Sequence, residues 1–229
     1  MKTYGQFCPV AQAMEVLGER WTLLVVRELL CGSERFTDLQ RGVPLMSKSM
    51  LSQRLKTLEE CGIIERRARE GRAAHTYHLT PAGEELRPLI EGAGAWAVRW
   101  LSRDPEPEHL DAGLLMWDLQ RNIDLAAIPD ERVLVQFTFP DAGRGLTRFW
   151  LDLQTDDVDL CLTKPALEVD LHVDAKLKAF TMVWVGDRTL AEATRAGDIT
   201  LRGPRKLIRA LPKWLKLSAF AQIERSASA

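Results

Sequence analysis

Hydrophobic and polar positions follow two different periods along this chain, and the period predicts which segments are helices and which are strands. In residues 47–78, SKSMLSQRLKTLEECGIIERRAREGRAAHTYH, Leu51, Leu55 and Leu58 recur at helical spacing. Gly62 follows at a position that suits a left-handed helix end. The pattern predicts a helix, a strand, a basic turn and a second strand. A polar-faced helix followed by a basic hairpin is typical of a winged helix-turn-helix.

The segments around this run complete the predicted first half. Three helices are expected before it, at residues 9–17, 20–31 and 36–41. Ser47 is a good N-cap for the fourth helix. Thr80, with Pro81 at the first helical position, is expected to begin a longer helix that reaches about residue 101.

The second half begins after the Pro- and acid-rich stretch SRDPEPEH at residues 102–109, which predicts a linker. Period-two alternation in four successive segments predicts a mostly antiparallel sheet with one buried face. These segments are 133–139, 148–153, 158–162 and 169–174. Helices are expected at 110–127, 175–185, 189–196 and 204–217, and a last strand at 198–202. We therefore predict an α+β chain with domains at 1–103 and 110–229.

Composition and charge refine this picture. The 229 residues are 46% hydrophobic and 28% charged, as expected of a globular protein, and the net charge is -1. Residues 1–103 carry 15 basic and 12 acidic side chains, whereas residues 104–229 carry 16 and 20. The basic half is the one with the predicted DNA-binding helix. With no apolar run long enough to span a bilayer and no signal-peptide core, we expect a cytoplasmic protein.

Three segments of the first half carry a family resemblance: CPVAQAMEVLGERWTLLVVRELLCG, RFTDLQRGVPLMSKSMLSQRLKTLEECGIIERR and YHLTPAGEEL. In order and spacing they resemble the HxlR-type winged helix-turn-helix transcriptional regulators, over about residues 7–103. GERW departs from the family, which often has two glycines or a lysine before the tryptophan. The resemblance implies a homodimer that binds a double-stranded DNA operator with two-fold symmetry.

DNA-binding roles are predicted residue by residue. The face of the fourth helix that would enter the major groove is formed by Ser47, Lys48, Ser49, Ser52 and Gln53. Gln53 suits an adenine edge and Lys48 a guanine. Four further side chains are expected to meet phosphate, namely Arg54, Lys56, Arg72 and His75. The alternative is that all of these are solvated charges, and it is at least equally suitable for Arg66, Arg67 and Arg69.

The helix expected at 80–101 has an apolar stripe. A small winged helix domain has little core left in which to bury that stripe. We predict a dimer interface there rather than intramolecular core, because aromatic side chains are enriched at the centres of interfaces. The predicted interface residues are Leu86, Ile90, Ala93, Trp96, Ala97 and Trp100.

Residues 110–220 are similar to sterol-carrier-protein-like domains in element order and in the segment TLAEATRAGDITLRGPRKLIRALPKWL. That resemblance implies an apolar tunnel for a lipid or another hydrophobic molecule. The predicted lining residues are Phe137, Phe149, Leu151, Leu160, Phe180, Trp184, Leu207 and Leu211. Each of them would serve equally well as ordinary core. The basic helix that follows Pro204 suits either a solvated face or a membrane surface, and no membrane insertion is expected.

Together these patterns predict a repressor whose operator affinity is modulated by a hydrophobic effector in the second domain. Two alternatives stay open. Cys8, at a helix N-terminus, would suit a redox switch, or else it is a small packing residue. The chain would otherwise be a lipid carrier that bears a DNA-binding module. The four histidines are dispersed and no catalytic motif is present, so no enzyme, metal or cofactor is expected.

Overall fold

A computed structural model of the protein describes residues 3–68, 75–101, 104–143 and 145–224. The chain divides into two compact units, Met1–Gly94 and Ala95–Ala229. Each unit has its own hydrophobic core. Helices and strands both contribute, so the fold is mixed α+β, as predicted.

The first unit is a winged helix-turn-helix. Its elements are α1 (Pro9–Leu17), α2 (Thr22–Leu30), α3 (Phe36–Gly42), α4 (Lys48–Glu60), β1 (Ile64–Ala68), β2 (His75–Leu79), α5 (Pro81–Glu84) and the first part of α6 (Arg87–Trp100). β1 and β2 pair antiparallel and form the wing. The backbone of Glu34 accepts a hydrogen bond from Tyr77, which attaches the wing to the segment that precedes α3.

Local sequence signals position α4 as expected. The Ser47 hydroxyl accepts a hydrogen bond from the backbone of Met50 at 3.2 Å and caps the helix. Leu51, Leu55 and Leu58 are buried in the core of the unit. Because one face of the helix is anchored in this way, its opposite face must point to solvent.

A buried carboxylate connects α2 with α3. Glu28 is fully buried, and Arg27 donates to its Oε1 from Nε at 3.1 Å and from Nη2 at 2.7 Å. The same Nη2 donates to the carbonyl of Gly42 at 3.0 Å, and the Ser33 hydroxyl donates to Glu28 Oε2 at 3.3 Å. A Cβ at position 42 would overlap the Glu28 carboxyl group. An alanine at the end of α3 would therefore force the Glu28 carboxyl group to shift from its partners.

The prediction of a single helix from Thr80 to about residue 101 is wrong in one respect. Thr80 caps as expected, with Pro81 at the first helical position, but α5 ends at Glu84 and α6 begins only at Arg87. Pro88 is the physical reason, because it has no N–H to donate to the carbonyl of Glu84 and fits best in a first helical turn.

The second unit contains the last part of α6 and a sheet with flanking helices. Its further elements are α7 (Ala112–Arg121), β3 (Val133–Thr138), β4 (Arg148–Gln154), β5 (Asp157–Cys161), β6 (Leu171–Ala175), α8 (Leu177–Trp184), α9 (Leu190–Arg195), β7 (Ile199–Arg202) and α10 (Arg205–Trp214). Three-residue helical turns lie at Pro107–His109 and Leu125–Ala127. The helix expected at 110–127 therefore ends early, at Arg121, and the terminal helix ends at Trp214.

The five strands are ordered β5-β4-β3-β6-β7. Three of the four pairings are antiparallel, as the alternation predicted, and β3 pairs with β6 in parallel. One face of the sheet is buried against the helices. Phe180 of α8 makes edge-to-face contacts there with Phe137 at 5.6 Å and Phe139 at 5.8 Å between ring centroids.

A second ionic cluster joins β7 to the helices around it. Asp198 lies 2.8 Å from Lys176 Nζ and 2.8 Å from Arg188 Nη1. Hydrogen bonds from these two cations hold the pKa of the Asp198 carboxyl below its usual value. α9 begins with a capping box, in which Thr189 and Glu192 bond reciprocally.

We predict opposite effects for two glycine-to-alanine substitutions. Gly42→Ala should destabilise the protein by about 1–3 kcal/mol, because the new methyl group has no room beside Glu28. Gly92→Ala is the matched control, since a Cβ there meets nothing within 4 Å. It should stabilise α6 by up to about 1 kcal/mol. Urea denaturation followed by circular dichroism measures both, and a Gly42→Ala variant as stable as the wild type would contradict the crowding.

Candidate nucleic-acid interface

The exposed face of α4 carries most of the side chains predicted to read DNA. Ser47, Lys48, Ser49, Ser52 and Gln53 are all exposed. The hydroxyls of Ser47 and Ser49 lie 3.1 Å apart, at the first turn of the helix. Donors and acceptors at the N-terminal part of such a helix are the groups that contact base edges. The structure brings these five residues together on one surface.

The turn before α4 is held by a side chain that the sequence patterns did not single out. Gln40 donates from Nε2 to the carbonyl of Val43 at 3.2 Å and to that of Met46 at 2.7 Å. Together with Glu28, it fixes the α3-turn-α4 geometry. A glutamate amid the apolar run TLLVVRELL was the available sequence signal for Glu28, since buried charges need partners. Gln40 gave no such signal.

The four residues predicted to bind phosphate occupy different settings. Arg54 is largely buried, with 15% of its side chain exposed, and its Nη2 lies 3.4 Å from Glu19 Oε2. Burial and this pairing hold Arg54 against the first unit, and its contact with phosphate stays a prediction. Lys56 is exposed, 3.7 Å from Glu60 Oε1, and His75 is exposed at the start of β2. Arg72 lies outside the described residues.

The wing arginines pair with acids on the same hairpin or on α4. Arg66 Nε lies 3.8 Å from Glu59 Oε1, and Arg67 bonds to Glu65. Both side chains are exposed. These pairs partly neutralise the charges of Arg66 and Arg67, which agrees with the alternative that both are surface charges in water and not DNA contacts. Arg69 lies outside the described residues.

The apolar stripe of α6 is divided between two environments. Leu86 and Ile90 pack against the core of the first unit. Trp96 and Trp100 are 56% and 50% exposed, and Leu89 is 43% exposed. Ala93 is also exposed, whereas Ala97 is half-buried. With residues placed 100° apart, Leu89, Ala93, Trp96 and Trp100 fall within an arc of about 60°. We call these four residues the exposed α6 face.

The eight residues predicted to line a tunnel lie in or against the core of the second unit. Six are buried, while Leu160 and Leu207 pack partly buried against them. A separate cavity of about 550 Å³ opens elsewhere in that unit. Its wall contains none of the eight and is formed by Ala97, Val98, Leu101, Asp104, Pro105, Glu106, His109, Thr181, Met182, Val185, Ser218 and Phe220. Sequence reasoning missed these residues because they come from three distant segments.

Cys8 is half-buried at the residue before α1, and its side chain caps no backbone N–H. Cys31 is exposed, and Cys61 and Cys161 are half-buried. Burial raises the pKa of the Cys161 thiol, which disfavours its thiolate. In the part of the chain that the structure describes, no three His, Cys, Asp or Glu side chains cluster as metal ligands would. Over the same residues, no helix has the length and hydropathy to cross a membrane.

A basic wing, a capped helix with a polar exposed face and a fixed turn before it define a winged helix-turn-helix DNA-binding protein. Comparison with known proteins agrees. The model of the HxlR-like helix-turn-helix family matches residues 16–105. The uncharacterised HTH-type transcriptional regulator YvaP of Bacillus subtilis is 35% identical over 109 residues, which cover 47% of this chain and 97% of that protein. The chain therefore belongs to the HxlR-like helix-turn-helix family of transcriptional regulators, a non-enzymatic family.

A second relative is the HTH-type transcriptional regulator YodB of Bacillus subtilis, 36% identical over 92 residues, which cover 39% of this chain and 82% of YodB. A solved structure of the reduced form of YodB is 32% identical, with a TM-score of 0.38, and covers 42% of this chain and 97% of that one. The family match ends at residue 105, so most of the second unit lies beyond it.

Proposed function

We propose that this regulator is a homodimeric repressor that binds an operator with two-fold symmetry, one α4 helix to each half-site. The observation that carries the proposal is the exposed polar face at the start of α4. Lys48 and Gln53 are exposed there, and in the described residues Lys48 has no acidic partner within ion-pair distance. Side chains of these two types read guanine and adenine edges. Ser47, Ser49 and Ser52 add hydroxyls to the same surface.

Homodimerisation would cover the exposed α6 face. Two half-exposed tryptophans and a leucine on one narrow arc form an exposed apolar patch, a feature that often marks an interaction site. Aromatic side chains of this kind are enriched in interfaces between subunits. A C₂ pair of such helices would also supply the two-fold symmetry that a symmetric operator requires.

Residues 110–229 are proposed to form a sterol-carrier-like domain that binds a hydrophobic effector. A five-stranded sheet with one face buried under helices agrees with that kind of domain. The described structure offers two locations for the effector. One is the core around Phe137 and Leu160, where the predicted lining residues are closely packed. The other is the 550 Å³ cavity, which is largely apolar and already open.

An effector would act through its differential affinity for two arrangements of the protein. α6 is a single helix that begins in the first unit and ends in the second. Ala97 and Val98, in its last part, line the cavity, and Trp96 and Trp100 belong to the exposed α6 face. A molecule bound against this part of α6 would therefore bias the helix that we propose to pair the subunits. The distance between the two α4 helices would change with it.

The proposed reading of DNA predicts that Lys48→Ala combined with Gln53→Ala abolishes operator preference. Removing each base contact should cost about 1–3 kcal/mol, or about fivefold to 150-fold in affinity. The measurement is fluorescence anisotropy with a duplex that the wild-type protein selects from a random library. Lys164→Ala with Gln154→Ala is the matched control in the second unit. Intact preference for the selected duplex in the α4 variant would show that α4 has been assigned wrongly.

The proposed dimer predicts different results for two leucine-to-glutamate substitutions. Leu89→Glu, on the exposed α6 face, should produce a monomer, because two buried carboxylates would face each other across the interface. Leu162→Glu is matched in exposure, 42% against 43%, and should leave the dimer intact. Sedimentation velocity distinguishes the species. A monomeric wild-type protein, or a dimeric Leu89→Glu variant, would count against this interface.

The effector proposal predicts saturable binding of the neutral apolar dye Nile red. Val185→Trp should abolish binding if the molecule occupies the cavity, whereas Leu160→Trp should abolish it if the core opens. Both are half-buried aliphatic residues of the second unit, and circular dichroism checks that each variant is folded. Wild-type protein that fails to bind the dye, or binding that neither substitution reduces, would contradict both locations.

The DNA-binding measurement also tests the alternative that Cys8 is a redox switch. If oxidant releases the selected duplex from wild-type protein but not from the Cys8→Ser variant, a redox signal replaces the hydrophobic effector. A carrier role without regulation would be indicated by dye binding in a protein that has no preference for any duplex.

A further inference from the structure

α10 presents a concentrated cationic surface in a unit whose overall composition is acidic. Arg205, Lys206, Arg209 and Lys213 are all exposed. With residues 100° apart, the four fall within an arc of about 100° on one side of the helix. We call them the α10 basic face. Residues 104–229 as a whole carry more acids than bases, 20 against 16, so the face stands out from its own unit.

Ion pairing separates this face from other cations of the same unit. Among the described residues of the unit, seven Lys or Arg side chains outside this face lie within ion-pair distance of a carboxylate, including Arg132 with Asp152 and Lys178 with Asp104. In the described part of the chain, no carboxylate lies that close to any member of the α10 basic face. The sequence contains no acid between Asp198 and Glu224. The four charges are therefore available to an external anion.

The opposite side of α10 is occupied by the core of the unit. Leu211 and Trp214 are buried, and Leu207 and Ile208 are half-buried against the same core. An amphipathic helix that lies in a membrane surface inserts its apolar side into the lipid. Since α10 already uses that side within the protein, its basic face suits a polyanion that is contacted by charge alone.

We propose that the α10 basic face is a second DNA contact, which binds duplex phosphates without reading sequence. This inference rests on the proposed function, because it adds to the operator contact made by α4. The helix has 10 residues and is about 15 Å long, a length over which one DNA strand presents about four phosphates. Arginine and lysine in one row match such a row of charges, and contacts of this type position a protein on the duplex.

The test is the salt dependence of DNA affinity in the full-length chain. Arg205→Gln, Lys206→Gln, Arg209→Gln and Lys213→Gln are combined in one variant. The slope of log K against log salt should become shallower by about 0.9 for each phosphate that is no longer neutralised, or about 2–4 in all. Affinity should fall equally for a duplex selected from a random library and for an unrelated duplex of the same length. Preference between them should be unchanged.

A charge-matched control separates location from net charge. It combines Arg148→Gln, Lys164→Gln, Arg195→Gln and Arg202→Gln, four exposed cations of the same unit that lie outside α10. This variant loses the same total charge, so its slope should stay within about 0.5 of wild type. Equal changes in both variants would overturn the proposal, because the effect would then be long-range charge alone.

Two further outcomes overturn it and identify the reason. If the α10 variant has the same slope as the wild type, the α10 basic face is only solvated. Operator binding through α4 would still stand. If the α10 variant keeps the wild-type slope but, unlike the wild type, no longer sediments with phosphatidylserine vesicles, the partner is a membrane surface. Wild-type protein that binds no duplex at any salt concentration would overturn the proposed function and this contact together.

Discussion

The buried Glu28 carboxylate is the interaction on which the geometry of the DNA-binding unit depends. A buried charge destabilises a protein unless it is paired. Removal of one partner from a buried ion pair lowers the stability of the protein by about 3–5 kcal/mol. Arg27 and Ser33 provide the pairing, and Arg27 also holds the carbonyl of Gly42. The carboxylate therefore fixes where α3 ends relative to α2. From that point Gln40 fixes the turn, and the turn determines where α4 begins.

The functional surfaces follow from how each helix distributes its apolar side chains. α4 and α10 both bury one side in a core and leave polar or cationic side chains in water. Neither helix can turn without exposing its leucines, so the outward groups are held in place by the hydrophobic effect. α6 is the exception, because none of its residues is fully buried and its tryptophans remain half exposed. That contrast is the basis for the proposal that a second subunit covers α6.

Signals that act over a few residues could be predicted from the sequence. Ser47 and Thr80 cap helices that begin where they were expected to begin, Gly62 takes a positive φ, and the alternating segments became strands. The family assignment rests on motifs of this local kind and was confirmed. Features that depend on distant partners could not be predicted, because spacing along the chain carries no signal for them. The pairing of Arg54 with Glu19, across 35 positions, is one such feature.

The same limit explains why neither the cavity nor the parallel pairing of two strands could be predicted from the sequence. β3 and β6 are separated along the chain by two strands and meet only in the folded sheet. The cavity needs α8, the last part of α6 and the segment around Ser218. An acidic unit attached to a DNA-binding unit is repelled by phosphate, and repulsion between exposed charges weakens beyond about 8 Å in physiological salt. Segregation of cations onto one helix lets such a unit face DNA with attraction instead of repulsion. The direction in which the second unit faces, rather than its net charge, would then decide whether it strengthens or weakens operator binding.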